Sequence, residues 1–104
     1  MADEIKLLRW PKDKRFPKCT ELESILKQEG YEPFRMVDPP CTYYHTLAGK
    51  TREIRWVVEG QILIGLADRE IVLERGDRLD LPAGMKRYMR ILSEEGAIYL
   101  LASG

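Results

Sequence analysis

The side chains able to do chemistry are few and scattered. His45 is the only histidine among 104 residues, Cys19 and Cys41 stand 22 positions apart, and Ser93, Ser103 and Thr20 have no triad partners. That cysteine spacing is far from a Cys-x-x-Cys pair, so two free thiols are expected. No glycine-rich segment leads into the Lys-Ser or Lys-Thr of a phosphate loop, and no Gly-x-Gly-x-x-Gly opens a helix. What remains is a charged, strand-like segment from Glu53 to Gly60. Period two puts Glu53, Arg55 and Val57 on one of its faces and Ile54, Trp56 and Val58 on the other.

These residues must be held by short elements. Thr20 and Glu23 have capping-box spacing, Leu22, Ile25 and Leu26 share a face, Glu23 and Lys27 can pair, and Gly30 suits the position after a helix. The pattern predicts one helix over roughly residues 21 to 29, too short to stand alone and needing a sheet to lie on. Before it, Pro11 and Pro17 mark an extended or irregular arm. After Gly30 the period is mostly two, and Pro39-Pro40, Ala48-Gly49, Glu59-Gly60, Ala67-Asp68, Arg75-Gly76, Pro82 to Gly84 and Glu94 to Gly96 punctuate it. Strands are expected at Pro33 to Val37, Thr42 to Leu47, Glu53 to Glu59, Gln61 to Leu66, Arg69 to Leu73, Arg78 to Leu81, Lys86 to Leu92 and Ala97 to Leu101. The fold class is therefore all-β, an antiparallel sandwich or barrel with one short N-terminal helix. Residues 1–104 form a single domain, with 1–30 the arm and helix and 31–104 the barrel.

Seventeen basic residues balance seventeen acidic ones, which argues against a broad nucleic-acid footprint; the local cluster Lys12, Lys14, Arg15 and Lys18 has Asp13 inside it. Asp3 and Glu4 with no apolar run behind them do not suit a secretory leader, and no segment approaches a membrane span. A cytoplasmic protein with no membrane or nucleic-acid partner is expected.

Two segments carry a family pattern. Glu53 to Gly60 ends in a Glu followed seven positions later by a Gly, and Gly76, Pro82 and Gly84 keep the spacing Gly, five residues, Pro, one residue, Gly. Over about residues 37 to 101 the chain resembles the cupins. That resemblance implies a small jelly-roll barrel, commonly dimeric, in which two histidines and a Glu of the first motif and a His of the second hold a divalent metal. Here the pattern breaks. His45 lies eight positions before Glu53 rather than the family's usual six or seven, Ala48 and Gly49 fall where the second His would be, and Arg87 stands at the last His. A guanidinium repels a cation, so no metal ligands are assigned, a mixed shell of His45 and Glu53 with Cys41, Tyr43 or Asp80 being the only other route.

If the family register holds, Glu53, Arg55 and Arg87 share one cavity with His45 and Tyr43. Arginine forks suit planar anions, so Tyr43, Arg55 and Arg87 are the candidate ligand-binding residues, for a small polar or anionic molecule. His45 as base with Glu53 or Tyr43 as proton donor is the candidate acid/base pair. The residues specify no cofactor. Three readings stay open: an anion-binding cupin with metal-independent chemistry, a metal-dependent cupin enzyme of the dioxygenase, isomerase or sugar-modifying type, and a structural or regulatory dimerisation module in which a Glu53–Arg87 bridge fills the old metal position. The outward stripe Ile54, Trp56 and Val58 needs a cover, and a homodimer is expected to supply it, packing by Leu22, Ile25 and Leu26 being the intrachain alternative. Arg75-Gly76-Asp77 spells an adhesion tripeptide, but its Gly belongs to the motif turn and its Asp is expected to bond there.

Overall fold

The computed structural model describes residues 4–104, apart from the side chain of Thr46. The first three residues, and with them the leader reading that used Asp3, lie outside the described residues.

Nine strands and one helix follow in the order β1 (Lys6–Leu8), α1 (Cys19–Gln28), β2 (Phe34–Asp38), β3 (Tyr43–Ala48), β4 (Glu53–Glu59), β5 (Ile62–Gly65), β6 (Glu70–Leu73), β7 (Arg78–Leu81), β8 (Lys86–Ile91) and β9 (Ala97–Ser103). They form two antiparallel sheets, ordered β1-β7-β4-β9-β2 and β3-β8-β5-β6, an all-β fold with one short helix as the punctuation predicts and a jelly roll as the resemblance implies. Every strand but β1 falls on an expected segment. β1 lies in the arm, where three exposed residues pair with β7 through Lys6–Asp80 and Leu8–Arg78.

Alternation along β4 sorts the molecule into two layers. Val57 faces inward to a core with Ile64, Leu73, Leu79, Met89 and Tyr99 between the sheets. Ile54 and Trp56 face outward and are buried with Leu22, Leu26, Leu100 and Ala102 beneath α1. The outward stripe is thus covered within the chain, and it gives no argument for a second subunit; Ile25, expected in that contact, points to solvent. Burying a side chain such as Ile54 is worth about 1.5–3 kcal/mol, which is what fastens a ten-residue helix that could not persist alone.

The helix begins before its expected cap. Lys18 takes the N-cap position and its backbone N–H donates to the Glu21 carboxylate at 3.0 Å, so the Thr20–Glu23 box is not used. The other end follows the sequence. Gly30, at φ +96°, donates to Lys27 O at 3.0 Å, and Tyr31 N–H reaches Leu26 O at 2.9 Å, a Schellman closure that needs the left-handed glycine.

Candidate functional site

Glu53 opens β4 in one sheet and Arg87 lies near the start of β8 in the other, so their ion pair ties the two sheets together at one end of the barrel. Arg87 Nη2 donates to Glu53 Oε1, and Arg87 Nη1 donates to Met85 O at 3.2 Å. Arg55, two residues along β4, brings Nη1 to 3.3 Å from the same Glu53 oxygen, close enough for an ion pair but not aligned as a hydrogen bond. The side chains of Arg87, Arg55 and Glu53 are 5%, 12% and 22% exposed, which places both arginines inside and leaves the carboxylate the most exposed of the three. Gly49 closes over the pair. A Cβ there would lie 2.8 Å from Glu53 Oε2 and 3.1 Å from Arg87 Nη2. Its carbonyl accepts from Gly84 N–H at 2.8 Å, and Gly84, at φ +80°, is the last glycine of the sequence motif. The motif spacing thus builds the turn that seats this end of the site.

One carboxylate here faces two guanidiniums. Arg55 Nε and Nη1 and Arg87 Nε are buried with no hydrogen-bond partner among the described residues. A buried donor left unpaired costs about 1–3 kcal/mol, more when it carries charge. Burial pushes the Arg55 guanidinium below its ordinary value; the field of Glu53 opposes this and that of Arg87 adds to it.

Three further polar residues form a bonded group that sequence reasoning missed, buried at Asp38 and Tyr99 and partly exposed at Tyr44. Asp38, buried at the end of β2, accepts from Tyr44 Oη at 2.9 Å and Tyr99 Oη at 2.7 Å. Burial first, and the bond to Asp38 second, raise both phenols above their ordinary value, so both stay protonated and donating. The available signal for Asp38 was its period-two relation to Met36, which packs against the core. For Tyr44 the signal was pairing rather than spacing.

Tyr43 and His45 do not join the Glu53, Arg55 and Arg87 cluster. Tyr44 pairs with the buried Met89 while Tyr43 pairs with the exposed Arg90, which turns Tyr44 inward and Tyr43 outward. His45 follows Tyr43 to the outer face, its ring edge-on at 5.0 Å, and Tyr88 stands beside them with ring centres 6.1 Å apart. The placement of these two candidates with Glu53, Arg55 and Arg87 is therefore corrected. The reason is register: β3 pairs with β8 one residue out of step with the expected facing, and the ladder shifts again between Tyr44 and Leu47.

The residues do not fit a divalent metal. No group of three or more His, Cys, Asp or Glu side chains that could hold one occurs among the described residues. The Glu53 carboxylate is engaged by Arg87, His45 faces away, and Asp80 lies on the outer face of β7, bound by Arg78 at 2.7 Å. Cys41 is exposed and free, as Cys19 is also free. Asp77 accepts from Glu74 N–H at 2.9 Å within its turn and is buried, so the Arg75-Gly76-Asp77 tripeptide is not displayed. No helix among the described residues is long and apolar enough to cross a membrane.

The comparisons with known proteins agree with this architecture. An RmlC-like cupin from Shewanella frigidimarina superposes with a TM-score of 0.62 at 16% identity, over 70% of this chain and 64% of its own length. KdgF from a Halomonas species gives 0.62 at 16% identity, over 70% and 68%. A DUF861 family protein from Thermotoga maritima gives 0.60 at 19% identity and covers 94% of this chain and 97% of its own. The fold is that of the cupins, as the glycine and proline spacing implies. No family model and no curated protein matches the sequence.

Proposed function

We propose that the chain is a cupin-fold binding protein that takes a small monoanion, of the size of a short carboxylate, into the barrel through Arg55 and Arg87 without a metal. The observation that carries this is the charge count at the site: two buried guanidiniums share the carboxylate of Glu53, and three of their nitrogens have no hydrogen-bond partner among the described residues. An incoming carboxylate supplies the missing charge and acceptors at once. Acid/base chemistry by His45 with Glu53 is no part of the proposal, because His45 sits with Tyr43 on the outer face of one sheet while Glu53, on β4 of the other sheet, points between the two.

The competing reading is a structural bridge, favoured by the way Gly49 closes over Glu53 and Arg87. Titration of the wild type, Arg55→Gln and Arg87→Gln with acetate and with inorganic phosphate, followed by NMR of the arginine side chains, separates the two. The proposal expects saturable shifts with acetate that weaken at least tenfold in either variant while the backbone spectrum stays folded. Equal response in all three proteins, or none in the wild type, leaves the bridge as the reading. Metal analysis of the purified protein tests the metal-dependent alternative, and stoichiometric metal would overturn the metal-free assignment. The homodimer is carried no longer by Ile54, Trp56 and Val58 but by the exposed edge-strand residues Phe34, Val37 and Leu47, and sedimentation velocity of the wild type and Phe34→Ser tests it.

A further inference from the structure

The arm before α1 is pinned against the outside of the barrel, and the pinning builds a cavity of about 690 Å³. Asp77 accepts from Arg9 Nη1 at 2.7 Å and from Trp10 N–H at 3.0 Å, in addition to its bond within the turn. Arg9 Nη1 also reaches Val72 O at 2.6 Å, and Trp10 Nε1 donates to Arg15 O at 3.1 Å. Trp10 rests directly on Gly76, where a Cβ would come within 2.6 Å of the Trp10 side chain and where φ is +89°. The motif glycine is thus used twice, once for the turn and once to admit the indole.

The wall so formed is apolar in its middle and charged at its rim. Trp10, Phe16 and Val72 supply the apolar surface. Three cations, Arg9, Lys12 and Arg75, face two carboxylates, Glu74 and Asp77. Asp77 takes Arg9, and Glu74 takes Lys12 at 3.3 Å together with the Gln61 amide at 2.9 Å. Arg75 has no carboxylate within ion-pair distance among the described residues; its guanidinium lies 4.6 Å over the Phe16 ring. A concave site of several hundred Å³, mainly apolar and with one converging charge, is the form that small-molecule pockets take.

We propose that this cavity is a second binding site, distinct from the barrel interior, for a small aromatic monocarboxylate. The ring lies against Trp10 and Phe16, and the carboxylate meets Arg75, whose charge nothing else in the cavity balances. The two aromatic side chains in the lining give contact area at little entropic cost, and the fork of Arg75 gives the charge preference.

Phenylacetate is the probe, followed by proton–nitrogen NMR, in which the two tryptophans give separate indole signals. The expected result is a saturable shift of the Trp10 indole, with a smaller one at Trp56, whose indole N–H is bonded to Gly76 O behind the site. Neutral phenylacetamide and the Arg75→Gln variant should each bind about tenfold more weakly, the loss of one charge-assisted contact, while Arg55→Gln should bind as the wild type does. No saturable Trp10 shift, equal affinity in Arg75→Gln, or loss of the response in Arg55→Gln would each overturn the assignment, the last by moving the ligand to the barrel interior.

Discussion

The two faces of β4 are made from alternate residues of one seven-residue segment, yet they solve burial differently. On the outer face Ile54 and Trp56 are covered by Leu22 and Leu26 of α1, and the one polar group there, the Trp56 indole N–H, donates to Gly76 O at 2.9 Å. On the inner face Glu53 and Arg55 meet Arg87, and donors are left over. The outer face is closed and its contacts are complete. The inner face is organised but leaves donors without hydrogen-bond partners among the described residues, and on that the proposed anion site rests.

Breaking the closed face should have the largest effect. Leu26→Ala empties a fully buried position beneath the helix and is expected to cost about 3 kcal/mol in urea denaturation, with anion binding retained in the folded fraction. Glu53→Gln removes the only carboxylate between two arginines; because Glu53 is partly exposed, the cost is expected to be about 2 kcal/mol, below that of breaking a fully buried pair. A loss as large as that of Leu26→Ala would show that the inner face, not the outer, is the structural one.

The tyrosines give a pH test. Tyr44 and Tyr99 ionise at higher pH in the folded protein than in the unfolded chain, so the folded state holds more protons and stability must fall as pH rises past the unfolded tyrosine value of about 10. Below that value the contribution is fully present. Denaturation between pH 8 and 11 should show the decline, and Tyr99→Phe should flatten it while costing about 1 kcal/mol at neutral pH, since Asp38 loses one donor. An unchanged slope in Tyr99→Phe would place that hydroxyl outside the Asp38 pair.

Smaller effects sharpen the contrast. Gly49→Ala puts a methyl group against the Glu53 carboxylate. The end of a side chain can yield more easily than backbone, so a cost under about 1 kcal/mol is expected, together with weaker acetate binding as the ion pair is displaced. His45→Ala, on the outer face, should change neither the melting temperature nor acetate binding; lost binding would return His45 to the site.

Much of the fold was legible. Gly30, Gly76 and Gly84 were marked as turn residues and all three have positive φ, because only glycine takes those angles without strain. The strand β4 was read with its faces correctly assigned, since seven residues of period two carry their own phase. Of the candidate site, the sequence reading brought together only Glu53, Arg55 and Arg87 as the structure does. Tyr43 and Tyr44 are adjacent residues of one type, and no pattern within β3 says which of them faces inward. Asp38 shares a face with Met36, but its hydrogen-bond partners lie 6 and 61 residues away, so nothing local marks it as their acceptor. β1 has three exposed residues, too few to show a period.

The sequence by itself determined where the chain turns, which residues of β4 share a face, and that the histidine-rich metal centre implied by the resemblance could not be assembled. Those are properties of single residues and of spacing within one element. Only the tertiary structure decided that α1 covers the outer stripe, that Tyr44 rather than Tyr43 joins Asp38 and Tyr99, and that Trp10 comes to rest on Gly76. Each depends on how distant strands pair. A one-residue change of register reverses every side chain in a strand, and the energy that selects the register belongs to the packed assembly rather than to any segment of it.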